Sequence, residues 1–471
     1  MQLGGEDNMK TTGKRSLFLF FFLILFISGM CYFLYEYTTQ GSKWAMQPYN
    51  AHLQGTSSVA NGTVSDRNGV SLLTTKNGQR TYADNTTLRK ATLHLVGDSA
   101  GNISTGVQNA FKTQLTGYNI VTGLADVHPS KTGGTISLTV DSRLNKLAYE
   151  ELAGRKGAAV LTNWKTGEIL CMVSTPTFDP ANPPSDLKTN ESAYSGVYVN
   201  KVLSGQLTPG SIFKIVTAAA AIQNISDLDS RTFTCNGSIK VDGTDITCTN
   251  REQHGTQNFQ HAFANSCNVT FATLAMEMGK DKMTAAANAL GVNSSFTVDT
   301  LTAAKGSYDV SKASTNQLGW SGAGQYTDQV SPGYMVRLLG AIANGGSPQE
   351  LRVIKSVSGD LTNANEFGNV KTGSQLMDSE TAGRLKNYMR GNVKISYGDD
   401  FFSGISNVCA KTGTAELGSG RGNNGWMVAF SEDESTPYAA AVVVERTDSF
   451  GINSAGPILR DLLASAAKYK E

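Results

Sequence analysis

The sequence predicts an α/β protein in which an antiparallel sheet is assembled from both ends of a large second domain, with a helical subdomain inserted between them. A small α+β pedestal and one apolar N-terminal segment precede it. Three observations carry this expectation. Strand-like apolar runs at 158–163 and 168–174 return only near the C-terminus, at 425–431 and 438–446. The intervening stretches 213–222, 271–278 and 283–290 are Ala-rich and helical in pattern. A chain of 471 residues with 40% apolar content exceeds one usual domain and can bury a sizeable core.

Residues 17–35 read LFLFFFLILFISGMCYFLY. At about 1.5 Å per helical residue, this run crosses a hydrocarbon core about 30 Å thick. Lys10, Lys14 and Arg15 precede it, and Glu36 and Lys43 follow. The positive-inside rule assigns 1–15 to a cytoplasmic tail, 16–35 to a transmembrane signal-anchor and the rest to the far side. The alternative, a cleaved signal peptide, has a shorter apolar region of about 7–15 residues and a small-x-small site closely after it.

Residues 36–150 read as a linker, polar over 36–60, and then the pedestal. Asn61-Gly62 and Asn68-Gly69 are turn signals, and Thr92-Leu93-His94-Leu95-Val96 and 136–140 read as strands. A helix is expected over 142–152, with Leu144, Leu147, Ala148 and Leu152 on one face. Residues 151–471 form the large domain. It opens with a hairpin turning at Lys165-Thr166-Gly167 and closes with a helix over 455–469. The polar stretch 355–380 reads as a surface excursion, and Glu445-Arg446 as a solvated strand end.

The 40 basic and 39 acidic residues balance, so no basic excess argues for nucleic acid. Of six cysteines, Cys31 falls in the apolar segment. The other five, Cys171, Cys235, Cys248, Cys267 and Cys409, fall where disulfides are permitted, yet an odd number cannot all pair.

Three short motifs, in order, carry the chemistry. In Ser211-Ile212-Phe213-Lys214, Pro209-Gly210 opens a helix, which puts Ser211 near a helix N-terminus. Lys214 lies one turn on, on the same face, and can serve as the base for Ser211 once its pKa is lowered. In Ser266-Cys267-Asn268, Ser266 can relay a proton and Asn268 can bind a substrate amide. In Lys411-Thr412-Gly413-Thr414, placed on an edge-like strand, Lys411 supplies a fixed positive charge and Thr412 and Thr414 can hold a carboxylate. Gly413 leaves room for substrate backbone. The backbone N–H groups of Ser211 and Thr414 form a candidate oxyanion hole. Each motif alone reads as a capping residue or a strand end; together they describe serine acyl transfer with a lysine base, acting on an amide or β-lactam.

The trio resembles the penicillin-binding proteins, and most closely their class B, monofunctional transpeptidase branch. Asp66-Arg67-Asn68-Gly69, Pro176-Thr177-Phe178-Asp179-Pro180, Gly322-Ala323-Gly324-Gln325, Ile342-Ala343-Asn344-Gly345-Gly346 and Lys411-Thr412-Gly413-Thr414-Ala415-Glu416 extend the resemblance over about residues 61–465. It implies a serine penicillin-recognising fold of the transpeptidase/β-lactamase type. It also implies a D,D-transpeptidase that cross-links peptidoglycan stem peptides and is acylated by β-lactams at Ser211. Such enzymes lack a glycosyltransferase domain, which implies a separate membrane polymerase of SEDS type as partner. The pedestal is short for this class, which leaves the growth process served open. A membrane-anchored serine β-lactamase would need a deacylating glutamate, and no Glu-x-x-Leu-Asn-like segment stands between the second and third motifs. A β-lactam receptor would need more spans and a cytoplasmic effector.

Cys235, Cys248, His254 and Cys267 are spaced C-x12-C-x5-H-x12-C. Three thiolates and an imidazole make a zinc donor set, and a Cys235–Cys248 disulfide with Cys267 as a buried thiol fits the spacing as well. The resemblance favours zinc, since some elongation-type class B enzymes carry one with a cysteine of the Ser-x-Asn motif as ligand. With four protein ligands the metal would be structural, and the chemistry itself requires no cofactor. His261 reads as a surface residue and Cys409 as strand packing.

Overall fold

The computed structural model describes residues 5–45, 62–76, 79–116, 133–358, 367–418 and 420–469. Gly5–Ala45 is one continuous helix. Its Gly13–Gly41 portion is the one helix among the described residues long and apolar enough to cross a membrane. Its Phe, Leu and Ile side chains are exposed on every side, as a lipid-facing helix requires. Residues 36–45 extend this helix instead of opening the linker, and 46–61 lie outside the described residues.

The pedestal is built on strands β1 (Gly62–Ser65), β2 (Ser71–Lys76), β3 (Gln79–Tyr82) and β4 (Thr135–Leu138). Asn68-Gly69 turns β1 into β2, Gly69 lying at φ 81° while the Asp66 carboxylate accepts from the Asn68 and Val70 amides. Gly62 begins a strand instead of a turn, and Asn61 lies outside the described residues. The strand expected at 92–96 is a helical turn, Leu93–Val96. All four of its side chains are buried, so the apparent alternation marks no solvent face, and the Thr92 hydroxyl donates back to the Leu88 carbonyl as in a helix.

The helix Ser142–Leu152 forms as expected and leads into the large domain. There β5 (Gly157–Asn163) and β6 (Ile169–Thr175) form the hairpin. Farther on, β7 (Thr232–Cys235) pairs with β10 (Gly255–Asn258), β8 (Ser238–Val241) with β9 (Thr244–Thr247), and β11 (Phe296–Val298) with β12 (Leu301–Ala303). Strand β13 (Ile354–Ser358) falls at the start of the supposed surface excursion. It instead pairs antiparallel with β4 and completes the pedestal sheet in the order β13-β4-β1-β2-β3. Ile354 and Val357 are buried there, which is what draws the segment in.

The main sheet has the order β14-β15-β16-β5-β6, with β14 (Val408–Glu416), β15 (Asn423–Ser431) and β16 (Tyr438–Thr447) all antiparallel. Both of its faces are covered. Ala159, Leu161 and Val442 pack with Leu144, Leu459 and Leu462 of the Ser142–Leu152 and Gly456–Lys468 helices. Ala158, Val160 and Val443 point the other way, toward Leu338 and Ile342 of the helix Pro332–Ala343. Coverage on both sides explains why these strands read as continuous apolar runs without alternation. Glu445, expected in solvent, is largely buried in an ion pair with Lys201.

Candidate active site

Ser211 sits in a 3-10 turn, Gly210–Phe213, that feeds the buried helix Lys214–Asn224. This segment is clamped between two backbones. Gly210 lies at φ 56°, and a Cβ there would fall 2.7 Å from the Thr414 carbonyl oxygen. Gly324 lies at φ 92°, and a Cβ there would fall 1.8 Å from the Gly210 carbonyl oxygen, so no side chain fits either position. The Gly210 amide donates to the Gly324 carbonyl at 2.9 Å, and the Trp426 indole donates to Thr208 at 3.0 Å. Gly413 serves the same closeness. A Cβ at Gly413 would fall 2.7 Å from the Pro209 carbonyl oxygen, so the nucleophile's own segment fills the room expected for substrate.

The two lysines converge behind Ser211. Lys214 Nζ lies 2.6 Å from Ser211 Oγ, 3.3 Å from Ser266 Oγ and 2.6 Å from Asn268 Oδ1. Lys411 Nζ lies 3.0 Å from Ser266 Oγ and 3.1 Å from the Thr412 carbonyl. Both side chains are sealed from solvent. Burial pushes Lys214 down to about 8, which leaves about a tenth of it neutral at pH 7, far more than an ordinary lysine has. Burial, and then the neighbouring Lys214 charge, push Lys411 well below the usual lysine range. The positive charge expected of Lys411 is thus disfavoured by burial and by Lys214, which faces it across the Ser266 hydroxyl.

Ser266 lies between the helices Phe259–Ala264 and Asn268–Ala289 in the left-handed region, at φ 53°. Asn268 is largely committed to the protein. Its oxygen accepts from Lys214, and its Nδ2 donates to the Thr247 carbonyl at 2.8 Å, leaving one N–H for substrate. Strand β14 is the sheet edge. Thr412 Oγ1 and the Thr412 amide both meet the Tyr397 hydroxyl, at 2.9 and 3.0 Å, and Thr414 Oγ1 accepts from the Gly451 amide at 3.1 Å. Tyr397 was not foreseen, because nothing in its local sequence ties it to a strand beginning at residue 408. The cavity above these groups measures about 420 Å³. Ser211, Asn268 and Thr414 line its floor, Trp320 and Gln325 one side, and the segment from Thr247 to Arg251 another.

That last segment hangs from the cysteine cluster. Ligand atoms of Cys235, Cys248, His254 and Cys267 all lie within 4.8 Å of one another. Cys235 Sγ is 3.6 Å from Cys248 Sγ and 3.4 Å from His254 Nδ1, and Cys248 Sγ is 3.8 Å from Cys267 Sγ. A disulfide needs about 2.05 Å. A tetrahedron of zinc–sulfur bonds of about 2.3 Å has edges of about 3.8 Å, so the donor set fits a four-coordinate zinc. Cys267 also caps the Asn268–Ala289 helix, accepting from the Thr270 amide and hydroxyl at 3.4 and 3.3 Å. The hydrogen bond from Cys248, helped by these, holds the Cys267 thiol toward its anion. His261 is exposed and stands apart from the cluster, and Cys409 is buried in β14.

Residues 157–464 match the family model for the penicillin-binding protein transpeptidase domain. The chain belongs to this family. It is a class B penicillin-binding protein of the transpeptidase type. It is 26% identical to the peptidoglycan D,D-transpeptidase PbpA of Mycolicibacterium smegmatis over 402 residues, 79% of this chain and 81% of that protein. Stage V sporulation protein D of Bacillus subtilis is 28% identical over 375 residues, 75% of this chain and 56% of that protein. Among solved structures, the D,D-transpeptidase domain of a peptidoglycan glycosyltransferase from Eggerthella lenta superimposes with a TM-score of 0.71 at 26% identity, covering 87% of this chain and 99% of that one. The imipenem acyl-enzyme of penicillin-binding protein A from M. tuberculosis shares the penicillin-binding fold at a TM-score of 0.74 and 24% identity, covering 87% and 98%.

Proposed function

We propose that this chain cross-links peptidoglycan stem peptides as a D,D-transpeptidase through a Ser211 acyl-enzyme, and that β-lactams acylate the same serine. The observation that carries this reading is the 2.6 Å contact between Lys214 Nζ and Ser211 Oγ, made by a lysine sealed from solvent. Neutral Lys214 takes the Ser211 proton as Oγ attacks the carbonyl of the penultimate D-Ala. The backbone N–H groups of Ser211 and Thr414 stabilise the oxyanion. As the D-Ala–D-Ala amide breaks, the leaving amine receives that proton from Lys214 by way of Ser266, and the terminal D-Ala departs. An amine of a neighbouring stem then attacks the ester. It loses its proton to Lys214, which returns one to Ser211 Oγ as the ester C–O bond breaks, so Ser211 and neutral Lys214 are both regenerated. Thr412 and Thr414 receive the substrate's terminal carboxylate, and its arrival favours the protonated form of Lys411.

Cys235, Cys248, His254 and Cys267 would hold a structural zinc, which supplies no step of the reaction and fixes the Ser266–Asn268 turn against the β9 end. The Gly13–Gly41 portion is read as the membrane anchor, with the N-terminus cytoplasmic and the catalytic domain outside. The polymerising partner is read as a membrane glycosyltransferase of SEDS type.

Intact mass of the full chain in detergent, followed over time with benzylpenicillin beside Ser211→Ala, tests the reading. The expected result is one adduct on the wild type, persisting for many minutes and absent from the variant. Rapid loss of the adduct with hydrolysed drug would mean a β-lactamase. No adduct on folded protein would remove the serine chemistry altogether.

A further inference from the structure

The cavity is lined by few charges. Among the described residues that line it, Arg251 and Glu416 are the charged ones, one of each sign. Glu416 ends β14, and its carboxylate makes no ion pair. Along β14 the partly exposed positions alternate with buried ones, so Thr414 and Glu416, which both line the cavity, lie on one face of the strand, while Gly413 and Ala415 point the other way. Glu416 therefore lies about 7 Å beyond Thr414, the length of two extended residues.

Arg251 is held in place by strain. Asn250 and Arg251 are consecutive non-glycine residues in the left-handed region, at φ 52° and 53°. The Arg251 amide donates to the Cys248 carbonyl at 2.9 Å, the Cys248 amide to the Gly237 carbonyl at 2.9 Å, and a Cβ at Gly237 would fall 2.3 Å from the Arg251 carbonyl oxygen. A turn that costs backbone energy and is fixed from both sides is the kind found at binding sites. Its guanidinium spends one N–H group on Asp245, at 3.2 Å and in solvent, and keeps four for a ligand.

We propose that Arg251 and Glu416 form the subsite for the donor-stem residue that precedes the two D-alanines, and that the subsite selects a side chain ending in both an ammonium and a carboxylate, as in a diamino dicarboxylic acid. The proposal rests on the transpeptidase reading. An extended donor laid antiparallel along β14, with its scissile carbonyl at Ser211 and Thr414 and its terminal carboxylate toward Thr412, carries that residue toward Glu416. Glu416 takes the ammonium, and Arg251, from the facing wall, takes the carboxylate by a charge-assisted contact.

The test uses the full chain in detergent and two depsipeptide donors ending in D-Ala-D-lactate, one with meso-diaminopimelate before the D-Ala and one with L-lysine. Acylation joins Ser211 Oγ to the D-Ala carbonyl, breaks the ester C–O bond and releases D-lactate with the serine proton, so released lactate reads the rate. The wild type is expected to favour the diaminopimelate donor about tenfold, the worth of one charge-assisted hydrogen bond. Arg251→Ala should lower that donor about tenfold and the lysine donor less than about twofold, with Arg251→Lys restoring part of the preference. Glu416→Gln should lower both donors alike, since both carry the ammonium. Thermal melts identify any variant that misfolds. If the donors turn over too slowly, the same ratios are read from their competition against benzylpenicillin acylation. A wild type with no preference, or an Arg251→Ala that lowers both donors equally, overturns the subsite while leaving the transpeptidase reading intact. A wild type that benzylpenicillin does not acylate takes both readings down.

Discussion

At and beneath the floor of the cavity, Ser211, Lys214, Ser266 and Lys411 are joined by contacts of 2.6–3.3 Å, and both lysines are closed off from water. On the wall, Thr249, Asn250 and Arg251 are exposed, and two of the three stand in a conformation that side chains disfavour. The floor gains its chemistry from burial, because desolvation is what leaves a lysine unprotonated and so free to act as a base. The wall gains its use from position, because an exposed guanidinium is chemically ordinary and matters only through where a strained turn holds it. Reactivity and selectivity are thus carried by different physics a few residues apart, linked by Cys248 and by the Asn268 contact to Thr247.

The comparison breaks first on Lys214. Lys214→Ala should slow benzylpenicillin acylation about 1,000-fold, within the range for loss of a general base, when the adduct is followed by intact mass. A loss below about tenfold would move the base elsewhere on the floor. The pH profile sharpens the point. Lys214 acts as acceptor only when neutral, and burial holds it at about 8. The acylation rate should therefore rise about tenfold per unit as pH climbs toward 8 and level off above it. A flat profile between pH 6 and 8 would contradict a buried lysine base.

Smaller effects are expected where floor and wall meet. Stripping the metal with a chelator should slow acylation about tenfold and lower the melting temperature, because the cluster anchors both Cys267 beside Asn268 and Cys248 beside the wall. Metal analysis of the purified protein should find close to one zinc per chain. Much less, together with a disulfide by mass, would return the cluster to the pairing that its compartment alone suggests. The smallest effect is the donor preference expected of Arg251, which acts on selection and leaves the proton chemistry of the floor in place.

The main sheet was legible in the sequence because helices cover both its faces, so 442–444 and 158–161 announce themselves as apolar runs. Leu93–Val96 was misread because a short, fully buried segment has no period to betray. Strand β13 was hidden by polar neighbours, its two buried residues being too few to stand out. In the site, the residue types of the three motifs were visible and their meeting was not. No local signal says that Lys411 is buried against the same hydroxyl as Lys214, that Gly413 faces Pro209, or that Tyr397 steadies Thr412. These contacts join segments 52 or more residues apart, or a strand to the helical turn Val393–Tyr397 before it, and only tertiary packing decides them.

The pairing of β13 with β4 has a consequence for the order in which this protein can take shape. A chain made from its N-terminus presents β1 to β4 early, but the β4 edge stays open until residues 354–358 have been made. Until then an unpaired edge waits beside a nearly finished sheet, the situation that invites pairing with the wrong strand. A fragment ending near residue 150 keeps that open edge permanently. The pedestal, which precedes the large domain in the sequence, is among the last parts of the molecule to be completed.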